Sequence, residues 1–241
     1  SGRGLPFLVD STGRRVLNAD YDDLWGEWRE ALRKRYGQLR DDLTAKGLTV
    51  SLPLTKRGYL NLAPAFSPDG SRIAYAVANA DDYPGIHIMN ADGTNDRAIV
   101  DNAFSTSASG QSVSWGTDGN GIFYTKIDLR RNANYYNDLY YYDLRTSTEA
   151  RITRGLRARD PFPAPDGKRL LFVANKLGRT RLGMLDIPGT RGGLMREKDV
   201  TWLTEEGLNQ YETPRFSPDG SRIVVGVWQP GGYKDIWVLD A

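Results

Sequence analysis

The stretch FSPDGSRI occupies Phe66–Ile73 and returns, letter for letter, at Phe216–Ile223. Aligning the chain on the Asp-Gly pair reveals two weaker copies. Asp69-Gly70, Asp118-Gly119, Asp166-Gly167 and Asp219-Gly220 therefore recur with a period of about 50 residues. Each copy has the same parts. A short strand comes first: PAF from 64, VSW from 113, PFP from 161, PRF from 214. A turn follows (SPDG, GTDG, APDG, SPDG), in which Asp bonds to nearby backbone and Gly supplies a positive φ. A stronger strand is next: RIAYAVA from 72, GIFYTKI from 121, RLLFVAN from 169, RIVVGVW from 222. Its apolar residues alternate with the period of two that strands require. A third strand reads GIHIMN, DLYYYD, RLGMLD and DIWVLD, and a fourth RAIV from 97, ARIT from 150 and TWLT from 201. The last copy reaches Ala241 before a fourth strand appears.

Four antiparallel strands in a unit of about 50 residues describe a propeller blade. A single blade cannot cover both faces of its sheet, so blades must stack around an axis. The sequence thus predicts an all-β propeller with four recognisable four-stranded blades, at about 64–100, 113–153, 161–204 and 214–241. Residues 49–54 read as an outermost strand without a blade of its own. The following Leu54-Thr55-Lys56-Arg57-Gly58 echoes Ile152-Thr153-Arg154-Gly155 and Leu203-Thr204-Glu205-Glu206-Gly207, and Pro53 suits an edge strand. If that strand completes the last blade, the ring closes with four blades. If it belongs to a preceding blade, the chain is an arc of a larger ring. The start at Ser1 and the stop at Ala241 favour a piece of a longer polypeptide.

Residues 1–47 fall outside the repeat and form a helical N-terminal segment, expected to be the remnant of an upstream domain, ahead of the propeller at 48–241. Leu24, Trp25, Trp28, Leu32, Tyr36, Leu39 and Leu43 recur at helical spacing. Asp20 is the expected N-cap, Glu30 and Lys34 an i, i+4 pair, and Gly37 a point of weakness. A small hairpin is expected around Thr12-Gly13. The two tryptophans on one face call for a cover, either the propeller or a missing domain.

The 241 residues hold 32 Lys and Arg against 30 Asp and Glu, so no nucleic acid partner is expected. No apolar run approaches the roughly 18 residues of a membrane helix, so no membrane insertion is expected. With no Cys there is neither a disulfide nor thiol chemistry.

The repeat resembles the TolB-type propeller repeat, a relative of the WD repeat. FSPDGSRIAYAVANADDYPGIHIMNADGTN (66–95) and PRFSPDGSRIVVGVWQPGGYKDIWVLDA (214–241) carry the likeness, and the resemblance spans roughly 49–241. In the middle copies Trp115-Gly116-Thr117 and Pro163-Ala164-Pro165 replace Phe-Ser-Pro. The resemblance implies a ring that is usually six-bladed, a periplasmic or cell-surface location, and a role as a protein-binding platform or as the neighbour of an enzymatic domain. The Leu24-Trp25-x-x-Trp28 helix looks like the last helix of gluzincin-like metallopeptidase domains.

The chain's own chemistry points away from catalysis. A gluzincin site needs two histidines and a carboxylate, and His87 is the single His, inside a strand. No Gly-x-Ser-x-Gly elbow or P-loop is present. NADGTND at 90–96 misses the EF-hand spacing and reads as a hairpin turn. No metal and no cofactor is expected. In a propeller, the loops into each first strand and those between second and third strands share one face. The first kind carries Tyr59, Asn61, Arg157, Arg159, Tyr211 and Glu212. The second carries Tyr83, Arg130, Arg131, Tyr135, Tyr136 and Tyr233. Tyr and Arg are enriched at binding hot spots, so these residues are the expected contact surface for a protein or peptide. The alternative is an accessory domain that docks substrate for a peptidase domain outside this chain.

Overall fold

The computed structural model describes residues 14–47, 51–56, 60–78, 84–101, 113–130, 134–187 and 194–241. The chain divides into two compact units, Ser1–Pro53 and Leu54–Ala241. The first contains one helix, α1 (Tyr21–Ala45). Asp20 caps it by accepting from the Asp23 amide at 2.8 Å. The helix runs on through Gly37, and Glu30 pairs with Arg33 at 3.7 Å rather than with Lys34. Trp25 and Trp28 touch, with ring centroids 4.8 Å apart, and the stripe they head is exposed. The Thr12-Gly13 hairpin lies outside the described residues.

The second unit is a four-bladed β-propeller of antiparallel sheets. The first blade is β1 (Leu60–Phe66), β2 (Arg72–Ala78), β3 (Gly85–Asn90) and β4 (Arg97–Val100). The second is β5 (Val113–Trp115), β6 (Gly121–Arg130), β7 (Asn134–Asp143) and β8 (Thr148–Arg151). The third is β9 (Ala158–Pro163), β10 (Arg169–Lys176), β11 (Arg179–Asp186) and β12 (Thr201–Trp202). The fourth is β13 (Gln210–Phe216), β14 (Arg222–Trp228) and β15 (Lys234–Asp240), with strands in sequential order in every sheet. The strand expected at 49–54 does not complete the fourth sheet: residues 51–56 form no strand, and β15 is the outermost member. Leu54 is held elsewhere, against the turn of the first blade, where a Cβ on Gly93 would lie 3.3 Å from it. Thr55 accepts from the Asn61 side chain at 3.3 Å.

The four Asp-Gly pairs are equivalent hairpin tips. Gly70, Gly119, Gly167 and Gly220 all have φ between 67° and 73°, the left-handed region open to glycine. Each Asp side chain accepts from the amide two residues on, at 2.8–3.1 Å. The turn also builds the contact between blades, since Gly119 sits on Pro68, Gly167 on Thr117 and Gly220 on Pro165.

Between the sheets lie the cores. Ala74, Ile86 and Ile88 of the first blade meet Trp115, Ile122 and Tyr124 of the second. Phe123 and Leu139 of the second meet Leu170 and Phe172 of the third. Val173 and Leu182 of the third meet Val225 and Val227 of the fourth. Polar bonds join successive inner strands as well. The Trp115 indole donates to the Ala65 carbonyl at 2.8 Å, Ser114 to Pro161 at 2.7 Å, and Arg159 to Tyr211 at 2.9 Å. Between Asn90 and Arg97 the NADGTND segment is a hairpin turn, with Asp92 accepting from the Thr94 amide at 2.9 Å. His87 bonds Asp96 at 3.1 Å, the structural role expected of it.

Phe172 is fully buried. Truncation to Ala is expected to cost about 3–5 kcal/mol in urea unfolding. A pH effect follows from the turns. Hydroxyl and amide donors, chiefly Ser67 and Ser217, hold the carboxyls of Asp69 and Asp219 at about 2. A depressed carboxyl stabilises above its unfolded value near 3.9 and loses that contribution as pH falls through its folded value. Their contribution to the unfolding midpoint is therefore expected to be level above about pH 5 and to be lost between about pH 4 and 2. The Asp69→Asn/Asp219→Asn double variant should show a shallower decline over that window.

Candidate functional site

Antiparallel pairing brings the start of each first strand to the end of the second: Leu60 lies opposite Ala78, Ala158 opposite Ala174, and Gln210 opposite Trp228. The two sets of loops named from the sequence therefore emerge at one end of the blades. Tyr59, Tyr83 and Arg131 lie outside the described residues, and only the backbones of Arg130 and Tyr135 are described. The remaining residues separate into two groups.

Tyr211, Arg159 and Glu212 are engaged internally. Tyr211 is buried among Val173, Leu182, Val225 and Val227, so its ring is core rather than surface. Arg159 bonds the Asp160 carboxylate and the Tyr211 carbonyl, which ties the third blade to the fourth. Glu212 pairs with Lys234 within the last blade. The other described residues of the set are Asn61, which donates to Thr55, and Tyr136, Arg157 and Tyr233. Arg157 lies over the Tyr136 ring at 4.1 Å and bridges the second and third blades. Tyr233 is 87% exposed at the tip of the last hairpin.

A bulge recurs along the inner strands. Ala63, Asp160 and Thr213 each precede a proline and have φ of 52°, 55° and 46°. The pairing register slips at the same place in all three blades. Proline brings no amide to the ladder, so the strand gives up a bond and bends there. At Asp160 the bend carries a buried carboxylate, which also accepts from the Thr213 amide at 3.4 Å. Beside it Arg215 stacks on Phe162 at 4.6 Å. Burial lowers the Arg215 pKa from the ordinary arginine value, against the pull of the Asp160 charge. Neither Arg157 nor Arg215 has a carboxylate in ion-pair range among the described residues.

Sequence reasoning missed Arg215, although it follows Thr213-Pro214 in the first strand of its blade. It also missed the corner at Asp138. This buried carboxylate binds Arg151, accepts from Thr153 Oγ1 at 2.9 Å and from the Gly155 amide at 3.1 Å. Thr153 Oγ1 in turn accepts from the Leu139 amide at 2.9 Å, as Thr204 Oγ1 does from Leu182 at 3.0 Å. In the third blade Arg181 holds the position of Asp138, and it donates to the Thr204 carbonyl and pairs with Glu206 at 3.6 Å. The recurring Thr of the fourth strands was the legible signal for both corners.

Nearby, Lys176, Arg179, Arg181, Glu197, Trp202 and Glu206 line a depression of about 230 Å³. Its charges pair with each other in part, as Lys176 does with Glu197 at 3.0 Å. Among the described residues no three His, Cys, Asp or Glu side chains gather as a metal site. No helix of the described chain is long and apolar enough to cross a membrane.

Comparisons with known proteins agree with this architecture. Residues 59–153 match the family model of the prolyl oligopeptidase N-terminal beta-propeller domain. Over 138 residues the chain is 31% identical to a TolB homolog of Chlorobium luteolum, covering 56% of this chain and 28% of that protein. These repeats are TolB-like. Over 113 residues the chain is also 30% identical to the uncharacterized peptidase YuxL of Bacillus subtilis, covering 46% of this chain and 16% of that one. The chain thus spans well under a third of either relative. Among solved structures, TolB from Acinetobacter baumannii aligns with a TM-score of 0.59 at 23% identity, over 75% of this chain and 41% of that one. A putative TolB from Agrobacterium tumefaciens aligns at 0.63 and 20% identity, over 77% and 64%. The family-model match begins at residue 59 and does not reach α1, so the gluzincin likeness of that helix gains no support.

Replacing Asp138 with Ala leaves Arg151 without its buried partner and is expected to cost about 3–5 kcal/mol in urea unfolding. Arg157→Ala removes only a surface stack and should cost within about 1 kcal/mol by the same measurement.

Proposed function

We propose that this chain is a non-catalytic propeller scaffold that binds a protein or peptide segment through its loop face or channel mouth, as part of a larger protein of the periplasm or cell surface. The observation that carries this reading is Arg157 at the loop end of the blades, stacked on Tyr136 and without a carboxylate in ion-pair range among the described residues. A stacked guanidinium offers planar donors with little entropy left to lose, which suits carbonyl and carboxylate groups of a bound chain. The TolB-like repeats support the scaffold reading and the envelope location.

A second reading is supported by the match to a peptidase-associated propeller model at 59–153 and by the peptidase relative. Here the same face docks or filters substrate for a catalytic domain outside this chain. The coding sequence flanking the repeats separates the two. A His-Glu-x-x-His helix or a Gly-x-Ser-x-Gly elbow in the same reading frame favours the peptidase reading, and neither favours the scaffold.

Capture of envelope proteins on the immobilised chain tests the face itself. A partner retained by the unaltered chain is expected to be lost, or weakened roughly tenfold, by Arg157→Ala combined with Tyr233→Ala. Unchanged capture removes this face from the proposal.

A further inference from the structure

Lys176 lies opposite Arg179 across the β10–β11 hairpin, so Leu177 and Gly178 alone make the turn. Both have positive φ, 53° and 78°. A two-residue turn of that kind favours Asn-Gly, because a bulky side chain is strained in the left-handed region. In two other blade turns the positive φ falls on small polar residues, Asn95 and Ser147. Leu177 departs from that rule and is also 85% exposed, so neither the turn nor the core gains from its side chain. A residue that is strained where it stands and buries nothing in its own chain points to a contact outside it.

The same hairpin lines the depression beside Trp202. Ala174 lies opposite Arg181 as Lys176 does opposite Arg179, so these four side chains share one face of the sheet, and all of them line it. The charges form two pairs and a remainder. Lys176 holds Glu197 at 3.0 Å. Arg181 lies over the Trp202 ring at 4.2 Å, donates to the Thr204 carbonyl and reaches Glu206 at 3.6 Å. Arg179 has no carboxylate in ion-pair range among the described residues. Three cations therefore stand against two carboxylates in the lining, a surplus of one positive charge.

Resting on the reading of the loop end as a peptide-binding face, to which this hairpin belongs, we propose that the depression takes a glutamate or aspartate side chain of the bound segment. A neighbouring apolar side chain of that segment rests on Leu177 and Trp202. One carboxylate on Arg179 neutralises the surplus and forms charge-assisted bonds. A phosphoryl dianion exceeds it and is repelled by Glu197 and Glu206. At about 230 Å³ the depression is smaller than the roughly 300–1,000 Å³ of sites that enclose a whole small molecule, which suits side chains of a longer chain.

Titration of the full, isotopically labelled chain with the peptide Ac-Leu-Glu-Leu-amide, read at the Trp202 indole N–H, tests the site. Saturable binding is expected at concentrations on the order of millimolar. Ac-Leu-Gln-Leu-amide, and the Glu peptide on the Arg179→Gln chain, should each bind about fivefold or more weakly. Leu177→Asn should unfold at a higher temperature, since Asn suits the turn, yet bind the Glu peptide about threefold or more weakly. The Arg157→Ala/Tyr233→Ala chain should bind it unchanged, so failure of the wider face and failure of this site are separate results. No saturable shift, equal binding of the Gln peptide, or indifference to Arg179→Gln overturns the proposal. Tighter binding of a phosphoserine peptide, or of Ac-Leu-Gln-Leu with a free C-terminal carboxylate, overturns the assignment to an acidic side chain. A Leu177→Asn chain that is less stable, or that binds as well as the unaltered one, removes Leu177 from the contact.

Discussion

Every blade of this molecule is a sheet with two apolar faces, and a sheet of four strands cannot shield both from water alone. Ile122 and Phe123 are adjacent in sequence and point to opposite sides, yet both are buried, one against the first blade and one against the third. Stability therefore resides at the junctions between blades rather than within them. The repeated turn makes that arrangement regular, because the Asp-Gly tip of one blade rests on the turn of the blade before it. A regular junction gives each position along the strand a fixed environment.

Charge is buried both within a blade and at a junction between blades. Asp138 and Asp160 are both removed from solvent, and both are held by arginine together with backbone amides. Removing such a carboxylate leaves a charge without its complement, so these groups fix geometry even where they add little net stability. Asp138 with Arg151 closes an outer corner of the second blade, while Asp160 with Arg159 links two inner strands. Arg157 and Arg215 stack on rings instead, Arg157 on Tyr136 at the loop end of its blade and Arg215 on Phe162 near the Asp-Gly turn of its own.

Much of this was legible in the sequence. The period of about 50 residues, the four turns and the strand order follow from alternation and from Asp-Gly chemistry, which act over a few neighbouring residues. The surface at the mouth was legible only in part. Arg157 and Tyr233 reach solvent at the loop end, whereas the Tyr211 ring is buried, because its surroundings include Val173 and Leu182 of another blade. Arg159 is engaged in the same way, as its partners include the Tyr211 carbonyl 52 residues away. Arg215 was overlooked because nothing near it in sequence marks the Phe162 ring it covers.

The sequence by itself determined a repeated four-stranded sheet, the places where the chain reverses, and which side chains share a side of each strand. These are local consequences of hydrophobic alternation and of glycine at positive φ. The tertiary structure decided which of those sides meets another blade, which charges are consumed in fastening blades together, and that the segment around Leu54 rests on the Gly93 turn instead of completing the last sheet. Such outcomes depend on contacts between residues far apart in the chain, whose energies are settled only when the blades are brought together.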